Sequence, residues 1–192
     1  MRILIAGIGG GIVLFIWGAV SHMALGVGES AFKPLPNEMA VVSNLKANIS
    51  EPGMYILPGM DMTHPQTSEE QAAWTAKYKE GPNALIIYNP TGVTPFSPGQ
   101  LGIELISDIL AALIVALMFT WLVPSFSKRV VFAALFGLAA WLSIVVSYWD
   151  WYRFPTEFIT GELIEQVVGW FIAGLVMAFI VRPKVVSAPA MA

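Results

Sequence analysis

The chain has no cysteine. That absence excludes disulfides, thiolate zinc sites, iron–sulfur clusters and c-type haem attachment. Charge is almost as scarce. Asp, Glu, Lys and Arg make up 12% of the 192 residues, about half the roughly 25% of an ordinary soluble domain. There is no excess of positive charge either. A net charge of −3 provides no basic face for phosphates, which excludes nucleic acid as a partner. With two histidines, of which only His22 falls in an apolar run, a haem held by two imidazoles across a membrane is excluded. No nucleophile–base pair or nucleotide fingerprint stands out. The glycines at 7–11 lie inside an apolar run rather than after a strand, so they form no phosphate loop.

Hydrophobic residues are what the chain has in quantity: 56% of the total, with a mean hydropathy of +0.69. They are gathered into four runs: Ile3–Val27, broken only by Ser21 and His22, then Leu101–Val123, Val130–Trp149 and Leu163–Val181. Each approaches the ~20 residues that a helix needs to cross a bilayer. The pattern predicts an all-α membrane protein: a four-helix transmembrane bundle with a small α/β insert between helices 1 and 2. The expected division is 1–28, 97–124, 129–149 and 162–182 for the spans, 29–96 for the insert, 150–161 for an outer loop and 183–192 for a tail. The first run exceeds the ~7–15 apolar residues of a signal peptide. It is therefore expected to be a retained anchor, although Ala24-Leu25-Gly26 has the small-residue character of a cleavage site.

Charge predicts the orientation. Arg2, Lys128, Arg129, Arg182 and Lys184 fall at ends or turns on one side, and no Asp or Glu joins them. Short basic loops stay in the cytoplasm. Both termini and the Pro124–Arg129 turn are thus expected in the cytoplasm of a bacterium, with the protein in its inner membrane and 29–96 in the periplasm.

The insert reads as ordered. Asn37 is placed to cap a helix whose Val41, Val42, Leu45 and Ile49 recur at helical spacing. Met54–Leu57 reads as a strand stopped by Pro58-Gly59. Thr67-Ser-Glu-Glu70 has the form of a capping box, opening a helix with Trp74 and Tyr78 that ends near Gly81-Pro82. Ala84–Tyr88 reads as a second strand. The order helix–strand–helix–strand resembles a short duplication. An insert of this size is only marginally stable alone, and Phe32, Trp74, Tyr78 and Phe96 are the expected docking residues.

Small residues mark the expected contact faces, since close packing replaces the hydrophobic force between spans. Gly7, Gly11 and Gly18 share one face of the first span, and His22 falls on it. Ser97-Pro-Gly-Gln100 opens the second span in capping-box form, and Glu104, Asp108, Ala111 and Val115 then follow along one face. Ala133, Gly137, Ala140 and Ser147 form a stripe on the third span. Glu162, Glu165, Gly169 and Ala173 share a face of the fourth, with Gln166 at its edge. Ionisable groups in spans normally face the bundle interior. The expected result is a polar pocket in the outer half, lined by His22, Glu104, Asp108, Ser147, Glu162, Glu165 and Gln166, with Asp150 and Arg153 as a lid. An inner half without a counterpart argues against alternating access.

Three roles follow for these residues. In the structural one, Glu104, Glu162 and Glu165 sit in first helical turns and answer the helix dipole, Asp150 pairs with Arg153, and Trp149, Trp151 and Tyr152 form an aromatic belt. Asp108, deeper in its helix, then needs a partner such as His22 or Arg153, a water cavity or a proton. In the second role the carboxylates and His22 hold metal, although carboxylate-bridged bundles use Glu-x-x-His pairs and this chain has Glu162-x-x-Glu165. In the third, a quinone or lipid headgroup meets His22 and Asp108 beside Trp149. Separately, Met60, Met62 and His64 offer soft ligands of the kind copper takes, in what also reads as a simple turn. No cofactor is predicted.

The layout resembles small four-span bacterial inner-membrane proteins without an assigned activity. The residues that carry the likeness are His22-Met23, Tyr55-Ile-Leu-Pro-Gly59, Ala84–Tyr88 and Trp149-Asp-Trp-Tyr-Arg-Phe-Pro155. Claudin-like proteins also have a large first outer loop, but theirs holds a cysteine pair absent here. The expected function is that of a non-enzymatic accessory subunit of a larger membrane complex, with a respiratory or photosynthetic assembly as a natural host. Its partners would be the lipid bilayer and other integral membrane subunits, met through Trp17, Trp121, Trp141 and Trp170. The alternative is a membrane protein that binds a quinone, lipid or metal in the polar outer pocket.

Overall fold

The computed structural model describes residues 1–122 and 125–181. Pro124, Arg182, Lys184 and the 183–192 tail lie outside the described residues. Among the described residues, four helical segments are long and apolar enough to cross a membrane: Arg2–Ala24, Pro98–Trp121, Phe126–Tyr152 and Thr156–Ile180. The chain divides into a helical unit, Met1–Lys33 with the chain from Pro95 onward, and a small α/β unit, Pro34–Thr94.

In the helical unit, α1 (Arg2–Ala19) continues through a π turn at Val20–Ala24. α4 (Pro98–Leu122) follows the α/β unit and opens on the expected capping box. The Ser97 backbone N–H donates to the Gln100 side chain at 2.9 Å, and the Gln100 N–H donates back to the Ser97 hydroxyl at 3.3 Å. α5 (Phe126–Ala140) passes through a second π turn, Trp141–Val145, into α6 (Val146–Tyr152), and α7 is Thr156–Ile180.

Glycine sets the closest helix crossings. A Cβ on Gly11 would stand 2.4 Å from the Ile109 Cα, and one on Gly7 would stand 2.8 Å from the Leu113 Cα. The backbones of α1 and α4 therefore touch, which only residues without a side chain permit. These pairings run in opposite directions along the two chains, so α1 and α4 are antiparallel. Gly137 likewise presses its backbone on the Gln166 carbonyl, and Ala133 meets Gly174, making α5 and α7 antiparallel. α1 also packs on α7, so the helices lie in the order α4, α1, α7, α5. The expected stripes at Gly7/Gly11 and Ala133/Gly137 are these contacts. The buried core lies toward the Met1 end of α1, around Ala6, Val115, Phe119, Val130 and Met177.

Two expectations for the helical unit need correction. Residues 150–161 do not form an open loop, because α6 runs on to Tyr152 and α7 starts at Thr156. Arg153 takes a left-handed conformation (φ 59°) and ends α6, and the Phe154 N–H bonds back to the Tyr148 carbonyl at 3.2 Å, a helix-terminating pattern. Polar residues such as Asp150 and Glu157 end an apolar run without ending a helix. The first-turn acid of α7 is therefore Glu157 rather than Glu162 or Glu165, and α4 has none in its first turn. The helix-dipole account of Glu104, Glu162 and Glu165 does not hold.

In the α/β unit, α2 (Glu38–Asn48), β1 (Gly53–Leu57), α3 (Ser68–Glu80) and β2 (Ala84–Tyr88) occur in the expected order. The strands pair antiparallel, with Met54 opposite Ile87 and Ile56 opposite Leu85. The Thr67 hydroxyl accepts from the Glu70 N–H at 3.2 Å while Glu70 accepts from the Thr67 N–H at 2.8 Å, completing the capping box. Asn37 stands at the start of α2 but makes no capping bond. A capping side chain reaches back from extended backbone, whereas Asn37 is left-handed (φ 56°). Trp74 and Tyr78, expected to dock elsewhere, pack on each other at 5.0 Å, and the Trp74 indole donates to the Pro58 carbonyl.

Candidate functional site

α4 and α5 are joined by a short connection, so they must be close at that end. There Phe119 meets Phe132 edge-on at 6.1 Å. Arg129, 4% exposed, donates to the Val181 carbonyl and lies 3.5 Å from the Phe119 carbonyl and 5.9 Å from the Phe119 ring. This residue was expected as a basic loop charge. It instead sits on the carbonyls that end α4 and α7, where a cation answers the negative end of the helix dipole.

Away from this end α4 and α5 separate and flank a cavity of about 910 Å³. Leu101, Glu104, Asp108 and Ala111 line it from α4, and Phe136 and Ala140 from α5. Trp17 and Gly18 line it from α1, Glu165, Gln166 and Trp170 from α7, and Ser107, His22, Glu29 and Phe96 are also among its lining residues. Of the residues expected together, Glu104, Asp108, Glu165, Gln166 and His22 line this one cavity.

The sequence of α1 explains how the polar end is held. Its π turn carries Ser21 and His22; such one-residue excesses recur at functional positions. Nδ1 of His22 lies 3.3 Å from Glu29 and Nε2 lies 3.7 Å from Glu165. The Ser21 hydroxyl, fully buried, sits between the Gly18 carbonyl at 3.1 Å and the Glu165 carboxylate. The Trp17 indole donates to the Glu165 backbone carbonyl at 3.1 Å. Its ring fits there because Gly169 has no side chain: a Cβ at that position would stand 2.8 Å from Trp17 Cδ1. α1 therefore grips Glu165 by main chain and side chain together. Ser21 bonds Glu165 rather than His22 and has no exposed surface, so it is not placed as a nucleophile.

Glu29 was not foreseen. Gly26 and Gly28, both at positive φ (63° and 77°), turn the chain back after the span and bring Glu29 over His22. The Gly-Val-Gly spacing after an apolar run was the available signal, since glycine supplies such turns without steric cost.

Other expected members are elsewhere. Ser147 is exposed and lies outside the lining, because the π turn shifts the helical phase and the buried position falls at Val145. Asp150 and Arg153 are exposed and do not line the cavity, so they form no lid over it. Glu162 is half-buried, one turn before Glu165, and also outside the lining. His22 is taken by Glu29 and Glu165, and the Asp108 carboxyl has no hydrogen bond or ion pair among the described residues. Of the tryptophans expected to face outward, Trp170 is buried, Trp17 is bonded inward and Trp141 donates to the Ile159 carbonyl at 2.9 Å. Trp121 alone of the four is strongly exposed, at 71%.

Among the described residues no three His, Asp or Glu side chains come together as a metal-holding group. In the α/β unit His64 lies 3.7 Å from Asp61 and 4.0 Å from Glu70, while Met62 is exposed. Hydrogen bonds from Thr63 hold the Asp61 carboxyl below its ordinary range. Chemically, the cavity offers carboxylates and an imidazole that accept hydrogen bonds and protons, set against aromatic and aliphatic walls. No protein family, curated protein or solved structure matches this chain.

Proposed function

We propose that the protein is a membrane protein whose helical unit holds an amphiphile, a molecule with a polar head and an apolar body, in the cavity between α4 and α5. The observation that carries this reading is the cavity itself. At about 910 Å³ it is at the upper end of the ~300–1,000 Å³ of small-molecule sites. Its ionisable groups are His22, Glu29, Glu104, Asp108 and Glu165, Ser107 and Gln166 add neutral polar groups, and most of the remainder is Trp, Phe, Leu, Met and Ala. Carboxylates within a span call for a partner or water, whereas apolar walls favour an apolar occupant. One amphiphilic molecule satisfies both demands.

The test is organic extraction and mass analysis of protein purified in mild detergent. Ala140→Phe, which fills the lining from α5, should remove a co-purifying species without loss of helix content. An identical extract from the variant would sink the reading.

The same reading places the protein in a bacterial inner membrane with Arg2, Lys128 and the α4–α5 connection on the cytoplasmic side. The cavity then opens in the outer leaflet and Pro34–Thr94 is periplasmic. Its support is the gathering of basic residues at one end, to which Arg129 contributes less because it is buried. A reporter fused after Ala192 should read as internal.

A second reading is an accessory subunit of a membrane complex, without a reaction of its own. It is favoured by the α/β sheet, one face of which presents Met54, Ile56 and Ile87 at 64%, 55% and 75% exposure. Exposed apolar faces outside the spans mark contact surfaces. Native mass analysis after gentle extraction would find a larger assembly; a lone 20.8 kDa species would count against it.

A further inference from the structure

The amphiphile reading leaves the head of the ligand unspecified, and the charges around the cavity narrow it. Four carboxylates line the space: Glu29, Glu104, Asp108 and Glu165. Facing them is one imidazole, His22, already placed between Glu29 and Glu165. Among the described residues no Lys or Arg lines the cavity. Arg129 is held at the far end by the Val181 and Phe119 carbonyls, and Arg153 is exposed outside the lining. Even a protonated His22 would offset one carboxylate. Glu104 and Asp108 stand one turn apart on α4, and among the described residues neither carboxylate has a hydrogen-bonding or ion-pair partner.

Asp108 and Glu165 are part-buried, while Glu104, Glu29 and His22 keep exposed surface. Carboxylates that outnumber their cationic partners favour a ligand that brings a positive charge over one that adds a negative one. Like charges a few ångströms apart repel strongly where the dielectric is low. The walls point the same way. Trp17, Trp170, Phe136 and Phe96 border the same space, and the faces of aromatic rings attract cations. Resting on the amphiphile reading, we infer that the cavity takes an amphiphile with a cationic amine head and excludes one whose head is purely anionic. The ammonium sits against Glu104 and Asp108, and the chain lies along the aromatic and aliphatic walls.

The experiment compares three probes of equal chain length, dodecylamine, dodecanol and dodecyl phosphate, titrated into the full chain in nonionic detergent and read by native mass spectrometry. The amine should bind at least about 10-fold more tightly than the phosphate, a difference of ~1.4 kcal/mol, with the alcohol between them. E104Q/D108N, which keeps shape and removes charge, should bring amine and phosphate to within about 3-fold while the alcohol is unchanged. If the double variant does not fold, as judged by helix content, E104Q alone should show a smaller change in the same direction.

Equal or tighter binding of phosphate or alcohol in the unsubstituted chain overturns the cationic head but leaves the amphiphile reading standing. Failure of all three probes to bind overturns the amphiphile reading itself. A further arm separates the sources of the amine. Retention of phosphatidylethanolamine over phosphatidylglycerol points to a lipid, and retention of dodecylamine alone points to a non-lipid amine; either supports the head charge.

Discussion

The two ends of the helical unit are built on opposite terms. At the Met1 end, α4 and α5 are tied by a short connection, Phe119 packs on Phe132, and Arg129 closes the carbonyl ends of α4 and α7. At the other end the same helices part, and carboxylates and an imidazole occupy the space between aromatic walls. A helix hairpin is held together where its loop is short and is free to open where nothing ties it. The difference shows where the molecule spends its tight packing and where it keeps room for something else.

The comparison breaks most sharply at the closed end. Arg129→Met should lower stability by about 2–3 kcal/mol, because a buried carbonyl loses a charged hydrogen-bond donor. Thermal unfolding in detergent would show it, and Arg2→Met, at an exposed position, should be nearly silent. Next in size is Gly11→Val. A Cβ there meets the Ile109 backbone, and forcing α1 from α4 should cost roughly 1–3 kcal/mol. If Gly11→Val were harmless, the close approach of α1 and α4 would be wrong.

At the open end, Ser21→Ala should cost about 1 kcal/mol. It should also free Glu165, so that Trp17 fluorescence shifts as α1 loosens its hold. An unchanged spectrum and unfolding midpoint would argue that Ser21 does not anchor the cavity floor. The smallest effect lies outside both ends. Asp61, held down by Thr63, should titrate below its ordinary 3.8, as seen by carboxyl NMR. Because its carboxyl is depressed in the folded chain, the turn gains from it above that ordinary value and loses it as pH falls through the lower, folded one. Thr63→Ala should move the titration upward.

How far these features can be read from residue order depends on what each one needs. The four helices long and apolar enough to span a membrane were legible because runs of ~20 apolar residues carry their own length and polarity in the sequence. The elements of the α/β unit were legible because Gly and Pro punctuate them: Pro58-Gly59 after β1, Gly81-Pro82 after α3. The contact faces at Gly7/Gly11 and Ala133/Gly137 were legible because small residues at helical spacing allow backbones to touch. Helix ends were not, since Asp150 and Glu157 leave an apolar run while remaining helical. Periodicity also failed past Trp141–Val145, where one π turn rotates everything after it and carries Ser147 outward.

The candidate site divides in the same way. That Glu104, Asp108, Glu165 and His22 line one cavity was legible because they continue small-residue stripes, although Glu104 and His22 keep exposed surface. Glu29 was missed because it follows the span, and its place over His22 comes from two positive-φ glycines. The partners were also exchanged: His22 pairs with Glu29 and Glu165, leaving Asp108 facing the cavity.

Composition and order alone thus established four segments long and apolar enough to span a membrane, because that is a property of length and polarity. Which acids meet, that Arg129 turns inward, and that α4 and α5 open around a cavity were settled by the packing of the helices. Those outcomes depend on contacts between residues far apart in the chain, and local periodicity carries no record of them.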